Sequence, residues 1–191
     1  MNEARTSRQG FTLIELLIVV AIIAVLVAVL AIAIFPWLAK NNENSTRTLM
    51  TSVSGLLEPR KNALTVDQLR RDAGPLSSQV SGDPRIASAQ LIVFYFAPSK
   101  TAWDASNLGR NREYRPEVDP KEWAKFLMSD GAPDMPYLTD AWGTAFWYSY
   151  DKVMDTYILR SAGKDMQWDT EDDLVATKGT KGVQFWSEIR K

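Results

Sequence analysis

Residues 10–35 read GFTLIELLIVVAIIAVLVAVLAIAIF and stand directly before Pro36. The last 20 of them, residues 16–35, are all apolar and include no glycine. At a rise of about 1.5 Å per residue, a helix of this length spans about 30 Å, which is the thickness of the hydrocarbon layer of a bilayer. A helix that is apolar on every side belongs in lipid or at the centre of a helical bundle. We therefore expect a transmembrane helix near the start of the chain.

The charges on either side of this segment predict how it inserts. Arg5 and Arg8 precede it, against Glu3, and Lys40 is the first charged residue after it. Because basic flanks tend to stay cytoplasmic, we expect the first residues on the cytoplasmic side and the chain beyond Lys40 on the far side. A secretory signal peptide fits less well, because its apolar region has about 7–15 residues and precedes a small-residue cleavage site. A plain single-pass anchor is the stronger alternative.

The overall composition excludes several classes of protein. The 191 residues carry 22 basic and 23 acidic side chains, and there is no Cys and no His. The near balance of charge argues against nucleic-acid binding, since no basic cluster exceeds pairs such as Arg70-Arg71. Disulfides, Cys zinc sites and Ser-His-Asp triads are excluded, whereas oxygen ligands could still hold a hard cation. No catalytic constellation is visible, so we do not expect an enzyme.

Local patterns predict the elements that follow. An apolar stripe at residues 49, 53, 56 and 57 predicts that the helix continues to Leu57, and Pro59 ends it. Asp119 is a predicted N-cap with Pro120 at the first helical position. Further elements are predicted as a helix at residues 65–71, strands at 90–96, 144–150 and 156–160, and a weak strand or helix at 181–189.

Two features of the remaining sequence are harder to interpret. Residues 82–138 carry few signals, and we expect a surface insertion there. The seven Trp residues could form a sugar-binding face, but in a small domain they more often fill the core. Trp37 is the exception, since its position predicts the membrane interface.

The segment from Gly10 to Glu15 resembles the start of type IV pilins and pseudopilins. In that superfamily a short basic leader ends in Gly and is followed by Phe, by Thr-Leu-Ile-Glu and by a long apolar helix. The resemblance covers about residues 5–39. It implies that a prepilin peptidase cleaves between Gly10 and Phe11 and methylates the new amino group of Phe11.

Glu15 needs an explanation of its own, because a carboxylate at the hydrocarbon edge costs about 2.5–3.5 kcal/mol. In the family, the charged amine of Phe11 in a neighbouring subunit is its partner and sets the register of assembly. We expect this assembly role for Glu15. The alternative is a carboxylate that extends to the cytoplasmic interface.

A second pattern lies near the end of the chain. Residues 165–173 contain five acids and no base, and such a cluster must be solvated or paired with a cation. Calcium takes about 6–8 oxygen ligands in flexible geometry, so a few of these carboxylates with loop carbonyls would suffice. The alternative is a solvated acidic loop that closes a hairpin.

The sequences DAWG at 140–143 and SAGKDMQWDTEDDL at 161–174 resemble the major pseudopilin of type II secretion systems. There a D-P-W-G turn leads into a β-hairpin, and a loop of the type S-x-G-x-D-G-x-x-x-T-x-D-D-I wraps a calcium ion. The resemblance implies that the calcium ligands are Asp165, Asp172 and Asp173, with Ser161 or its carbonyl. The chain departs from the pattern at three positions, namely Ala141, Met166 and Trp168.

The resemblance implies an α+β fold in which a long N-terminal helix, membrane-spanning in its first half, packs on a small C-terminal antiparallel β-sheet. We expect a leader at residues 1–10, a transmembrane and filament-core helix at 11–39, its periplasmic continuation at 40–63 and a globular domain at 64–191 with the acidic loop at 159–174. The implied function is a subunit of a periplasmic pseudopilus that drives protein export from the bacterial inner membrane.

The implied partners are further copies of the chain in a helical filament, minor pseudopilins, the prepilin peptidase, and an inner-membrane platform with its ATPase. Two other functions stay open. The first is a type IV pilus subunit for adhesion, motility or DNA uptake, although many such pilins close their C-terminal region with a disulfide. The second is a membrane-anchored binding or enzymatic domain.

Overall fold

The structure is a computed structural model that describes residues 12–60, 62–180 and 182–189. The chain divides into two compact units, residues 1–41 and 42–191.

The described part of the first unit is helical from Leu13 onward, and it belongs to a helix α1 with bounds Leu13–Leu57. One stretch of it, Leu13–Ile32, is long and apolar enough to cross a membrane, a criterion of length and composition alone. The apolar side chains of this stretch are exposed, with Leu13 at 82%. Surface this apolar is stable in lipid or against other helices rather than in water. The predicted helix and its end at Leu57 are confirmed.

The second unit contains the last turns of α1 and all the elements that follow it in the chain. The helices are α2 Val66–Ala73, α3 Pro84–Phe96, α4 Lys100–Ala105, α5 Pro120–Trp123 and α6 Trp186–Ile189, with 3₁₀ turns at Gly74–Gln79 and Ala124–Phe126. The strands are β1 Leu127–Met128, β2 Tyr137–Leu138, β3 Trp147–Asp151, β4 Thr156–Ser161, β5 Leu174–Thr177 and β6 Gln184–Phe185.

The main sheet has four antiparallel strands in the order β3-β4-β5-β6. A hairpin joins β3 to β4 and pairs Trp147 with Arg160, and the acidic loop joins β4 to β5. Strands β1 and β2 form a separate two-stranded ladder. The predicted α+β class with a small antiparallel sheet is confirmed.

The last turns of α1 bury three of the four residues of the predicted apolar stripe in the domain core, together with Met50, whereas Leu56 is half-buried. Leu49, Met50, Val53 and Leu57 are each at most 4% exposed and pack in one cluster with residues of β3, β4 and β5. The hydroxyl of Tyr157 on β4 lies 3.3 Å from the carbonyl oxygen of Ser54 and 3.2 Å from the carboxylate of Glu58. The helix therefore provides one wall of the core on which the sheet is built.

Several local predictions are confirmed by their caps. The side chain of Thr65 accepts a hydrogen bond from the backbone N–H of Gln68 and starts α2. Asp119 caps α5 in the same way, with Pro120 at its first position. The predicted terminal element at 181–189 is both a strand and a helix turn, β6 followed by α6, while Lys181 itself lies outside the described residues.

The strand predicted at residues 90–96 is wrong, because these residues form the second half of α3. A short apolar run cannot distinguish a buried strand from a buried helix by periodicity. The start of the helix is nevertheless determined locally, since Asp83 caps it with a 2.8 Å bond from the N–H of Arg85 and Pro84 occupies its first turn. These two residues are the signal that the sequence interpretation missed.

The surface position expected for residues 82–138 is also wrong for helix α3, near the start of this segment. Leu91, Ile92 and Phe96 of α3 are fully buried. Gln90 is buried with them and is satisfied by the segments on either side, since its side chain donates to the carbonyls of Gln79 and Met135. Helix α3 is therefore the central element of the core rather than an addition to it.

Five of the seven tryptophans fall into two groups. Trp103 and Trp123 are buried, as expected for core residues. Trp147, Trp168 and Trp186 are half-buried, and all three lie around the guanidinium of Arg160. A purely core-filling interpretation therefore does not cover these three.

Candidate functional site

The start of helix α1 is held by a reciprocal pair of side chains. The carboxylate of Glu15 accepts hydrogen bonds of 2.8 Å from both the backbone N–H and the hydroxyl of Thr12. The Thr12 hydroxyl in turn accepts a 3.3 Å bond from the backbone N–H of Glu15. This is a capping box, in which the N-cap residue and the third helical residue satisfy each other's free donors.

This cap gives Glu15 a role within its own chain. The first N–H groups of a helix have no partner inside the helix, and unsatisfied donors are costly at the edge of a hydrocarbon layer. The sequence interpretation missed this contact, although Thr-x-x-Glu before an apolar run is its known signature. Gly10 and Phe11 lie outside the described residues, so the cleavage site and the intermolecular partner of Glu15 stay predictions.

The acidic loop between β4 and β5 gathers three of the four predicted ligands. The hydroxyl oxygen of Thr170 lies 2.8 Å from a carboxylate oxygen of Asp172, 3.2 Å from one of Asp173 and 3.4 Å from one of Asp165. A hydroxyl donates only one proton, so it bonds one of these acceptors at a time. Asp165, Asp172 and Asp173 therefore lie around one hydroxyl group, and their role as calcium ligands stays a prediction.

Asp172 is held by the backbone of its own loop. One of its oxygens accepts bonds from the N–H groups of Lys164, at 2.7 Å, and Asp165, at 3.1 Å. Burial by itself raises the pKa of Asp172, but the bonds from Thr170 and from these N–H groups outweigh burial, and the net effect is a lowered pKa. The loop thus stabilises the ionised form of this carboxylate.

Ser161, the fourth predicted ligand, has a different partner. Its hydroxyl is fully buried and donates a 2.6 Å bond to the carboxylate of Asp140 in the DAWG turn. Asp140 also accepts bonds from the N–H groups of Trp142 and Thr144, and its burial raises its pKa despite these bonds. Ser161 therefore joins the acidic loop to the turn that precedes β3, and its side chain is not grouped with the three carboxylates.

Asp173 is fully buried and lies against a cation of the protein itself. Its carboxylate is 2.6 Å from Nη2 of Arg160, whose side chain is only 8% exposed. The same guanidinium nitrogen lies 2.9 Å from a carboxylate oxygen of Asp169. Sequence reasoning missed Arg160, because it stands outside the acidic run, within strand β4.

These contacts bear directly on the calcium hypothesis. Within the described ranges, no group of three or more Asp or Glu side chains has an arrangement that could hold a metal ion. Two of the four predicted ligands, Ser161 and Asp173, are bonded to Asp140 and Arg160 instead. In this arrangement the residues do not fit a calcium ion, and calcium binding itself stays a prediction.

The departures from the family loop have a backbone consequence. Met166, which stands where the family has Gly, adopts a left-handed φ of 57°, and Asp169 adopts one of 69°. A left-handed conformation costs a non-glycine residue about 1–2 kcal/mol. The loop therefore keeps a glycine-like turn at Met166 without the glycine.

Comparison with protein families gives one match. The model of the prokaryotic N-terminal methylation motif matches residues 5–34. The chain carries a type IV pilin-like prepilin signal. Comparison with curated proteins and with solved structures finds no match.

The prepilin signal covers Gly10, Phe11, Glu15 and nearly all of the apolar run. It implies processing by a prepilin peptidase and assembly with other pilin-like subunits, and the exposed apolar helix of the first unit fits a membrane-anchored protein of this kind. The match ends before the second unit, so it does not bear on the acidic loop. The likeness to the major pseudopilin of type II secretion belongs to the proposal that follows.

Proposed function

We propose that this chain is a structural subunit of a pseudopilus, a filament that polymerises from the bacterial inner membrane into the periplasm and drives protein export by type II secretion. The single observation that carries the filament part of this proposal is the prepilin signal at residues 5–34. The secretion part rests on the resemblance of residues 140–143 and 161–174 to the major pseudopilin and on the absence of Cys from the sequence.

The exposed apolar helix supports a filament rather than a simple anchor. In the membrane, the residues of Leu13–Ile32 face lipid. Once the subunit leaves the bilayer, the same surface must be covered by other helices, and copies of the same helix are the available partners. Contacts that repeat head to tail without closing produce a helical filament.

Glu15 is the residue on which this assembly depends. In the single chain its carboxylate is bonded to Thr12. A carboxylate has about four acceptor positions, so the cap leaves capacity for the amine of Phe11 in the next subunit. The cap fixes the orientation of the Glu15 side chain before the neighbour arrives, which lowers the entropy lost on pairing.

The proposed partners follow from this assembly route. The prepilin peptidase would release residues 1–10, and an inner-membrane platform with its ATPase would drive polymerisation, with minor pseudopilins in the same filament. The second candidate is a type IV pilus subunit, which the same prepilin signal also supports. A membrane-anchored domain without assembly is the third.

A deletion strain separates the first two functions. We expect it to lose secreted enzyme activity while its surface pili stay intact. Loss of pili or motility with normal secretion would assign the chain to the pilus class. Mass spectrometry of the membrane-bound chain should find Phe11 as a methylated N-terminus, and an unprocessed chain would favour the plain anchor.

Complementation of that strain tests Glu15 itself. Glu15→Val should reach the membrane in normal amount but fail to form filaments, because it removes the charge that pairs with the neighbouring amine. Leu17→Val is the matched control, since it changes an exposed residue of the same helix and keeps every charge. Normal filaments from the Glu15→Val variant would refute the assembly role.

A further inference from the structure

The acidic loop contains a strong excess of negative charge, which must be solvated or paired with a cation. Five acids lie within residues 165–173 without a base between them. Asp173 is the extreme case, since its side chain is 0% exposed. A buried carboxylate without a partner is so unfavourable that it takes up a proton or finds a cation.

We propose that Arg160 is the cation around which the acidic loop folds, in the role that the resemblance to pseudopilins would give to calcium. Arg160 reaches the loop from β4, the strand that precedes it. Its Nη2 donates to Asp173 at 2.6 Å and to Asp169 at 2.9 Å, so one guanidinium joins the last residue of the loop to its middle. The loop then needs no metal to close.

The remaining acceptor positions of Asp173 are engaged by the same loop. The oxygen that faces Arg160 also accepts a 3.0 Å bond from the backbone N–H of Asp169. Its other oxygen lies 3.2 Å from the Thr170 hydroxyl. The first oxygen therefore receives additional protein donors, whereas the second shares the single Thr170 proton with Asp172, which is closer at 2.8 Å. Additional bonds of this kind are what a buried ion pair needs to contribute to stability.

Aromatic rings enclose the other side of the guanidinium. Its central carbon lies 4.3 Å from the ring centroid of Trp186, 5.5 Å from that of Trp147 and 5.6 Å from that of Trp168. Trp147 and Trp168 also meet edge to face, with centroids 5.6 Å apart. Aromatic faces attract a cation, and the planar guanidinium stacks on them where an ammonium group does not. This explains why three half-buried tryptophans gather at one point of the sheet.

The same contacts work against a divalent ion at Asp173. Calcium would need several oxygen ligands turned toward one point. Asp173 instead turns toward a fixed positive charge, which repels a second cation nearby. The N–H groups of Lys164 and Asp165 already direct two donors at one oxygen of Asp172. Donors of the loop and Nη2 of Arg160 thus already occupy these carboxylates, while Nε of Arg160 is buried without a hydrogen-bond partner among the described residues.

The test is thermal unfolding of the full-length protein in detergent micelles, followed by the near-ultraviolet circular dichroism of its tryptophans. We expect the wild type to melt at the same temperature in calcium chloride and in a chelator. Arg160→Gln should lower the melting temperature by roughly 10 °C, since it leaves Asp173 buried without its cation. The melting temperature of Arg160→Lys should fall as well, because lysine keeps the charge but lacks the planar guanidinium that contacts the rings.

Arg85→Gln is the matched control. Arg85 stands over the same rings of Trp147 and Trp168, at 5.5 and 5.2 Å, but it is exposed and forms no ion pair among the described residues. The Arg85→Gln change should shift the melting temperature by no more than about 2 °C. This separates the effect of the carboxylate partners from that of the aromatic contact.

Three results would overturn the proposal. A wild-type melting temperature that rises with calcium would show that the metal closes the loop, and this measurement needs no variant that folds. An Arg160→Gln variant that is as stable as the wild type in chelator would show that Arg160 does not stabilise the acidic loop. The double variant Arg160→Gln with Asp173→Asn should lose less than the sum of the two single changes, and a strictly additive loss would contradict the pairing.

Discussion

Gly163 follows Ala162 at the start of the acidic loop, and one added methyl group there should be strongly destabilising. Its φ of 69° lies in the left-handed region. A Cβ built on it would stand 2.4 Å from the backbone oxygen of Asp172 and 2.7 Å from that residue's carboxylate oxygen. Both distances are shorter than any normal contact of a Cβ atom. The shorter one is to a backbone atom, which cannot rotate away as a side chain can.

The expected loss for Gly163→Ala has two parts. Holding alanine at a left-handed φ costs about 1–2 kcal/mol. Relieving the contact requires a shift of about 1 Å between Gly163 and Asp172, which stretches the bonds from Lys164 and Asp165 to Asp172 beyond hydrogen-bond distance. These bonds are near the surface, so we assign about 1 kcal/mol to each. The total is about 3–4 kcal/mol, or a melting temperature lower by roughly 10 °C.

Gly131→Ala is the control that isolates the contact. Gly131 has a similar φ of 79°, but a Cβ there would meet nothing within 4 Å. Its replacement should cost only the conformational part, about 1–2 kcal/mol. Thermal unfolding of the full-length protein in detergent micelles measures both variants under the same conditions. Equal shifts for the two alanines would refute the close approach of Gly163 to Asp172.

Three further predictions follow from single contacts. Thr12→Ala should raise the hydrogen-exchange rate of the first-turn amides of α1 about fivefold, the equivalent of about 1 kcal/mol of capping, whereas Thr12→Ser should leave it unchanged. Because the folded pKa of Asp172 is lowered, its contribution to stability is present above the unfolded pKa, about 3.9, and disappears as the pH falls through the folded value. Asp172→Asn should therefore be less stable than the wild type at neutral pH in equilibrium unfolding, with a difference that vanishes in acid. A difference that persists there would exclude the charge as its cause. Gln90→Leu should cost about 2–4 kcal/mol, since it leaves the carbonyls of Gln79 and Met135 without their donor, and a shift below about 0.5 kcal/mol would contradict this network.

The sign of the pH effect distinguishes Asp172 from Asp140. Burial raises the pKa of Asp140, so the folded state holds its proton more tightly than the unfolded state, and stability falls as the pH rises from the unfolded pKa through the folded one. The two carboxylates therefore oppose each other in an acid titration of the wild type. Only a comparison of Asp172→Asn with the wild type at each pH isolates the contribution of the Asp172 charge to stability.

Features that depend on neighbouring residues could be predicted from the sequence. The apolar run at 16–35 required only length and composition, and the structure shows the helix that they imply. The caps at Thr65 and Asp119 act within three residues of themselves, and the hairpin of β3 and β4 closes over a short turn. The cap of Thr12 on Glu15 was equally local, so it could have been predicted and was overlooked.

Helix α3 shows where local information was insufficient. The apolar residues 90–96 suit a buried strand as well as a buried helix, and their burial on all sides removes the periodicity that separates the two. The position of α3 under the sheet decides that a helix fits there, and contacts such as that between the Ser88 hydroxyl and the Tyr148 backbone hold it in place.

The acidic loop also combines a property that the sequence predicts with one that depends on the tertiary structure. The sequence by itself determined that the carboxylates of 165–173 need compensation, because like charges repel at short range wherever the chain places them. Only the tertiary structure decided that two of them, Asp169 and Asp173, pair with Arg160. The pairing of β4 with β5 brings Arg160 beside Asp173, 13 residues later, and the folding of β3 and α6 adds Trp147 and Trp186 around it. Such partners are distant in sequence, and only the register of the sheet places them within hydrogen-bond distance.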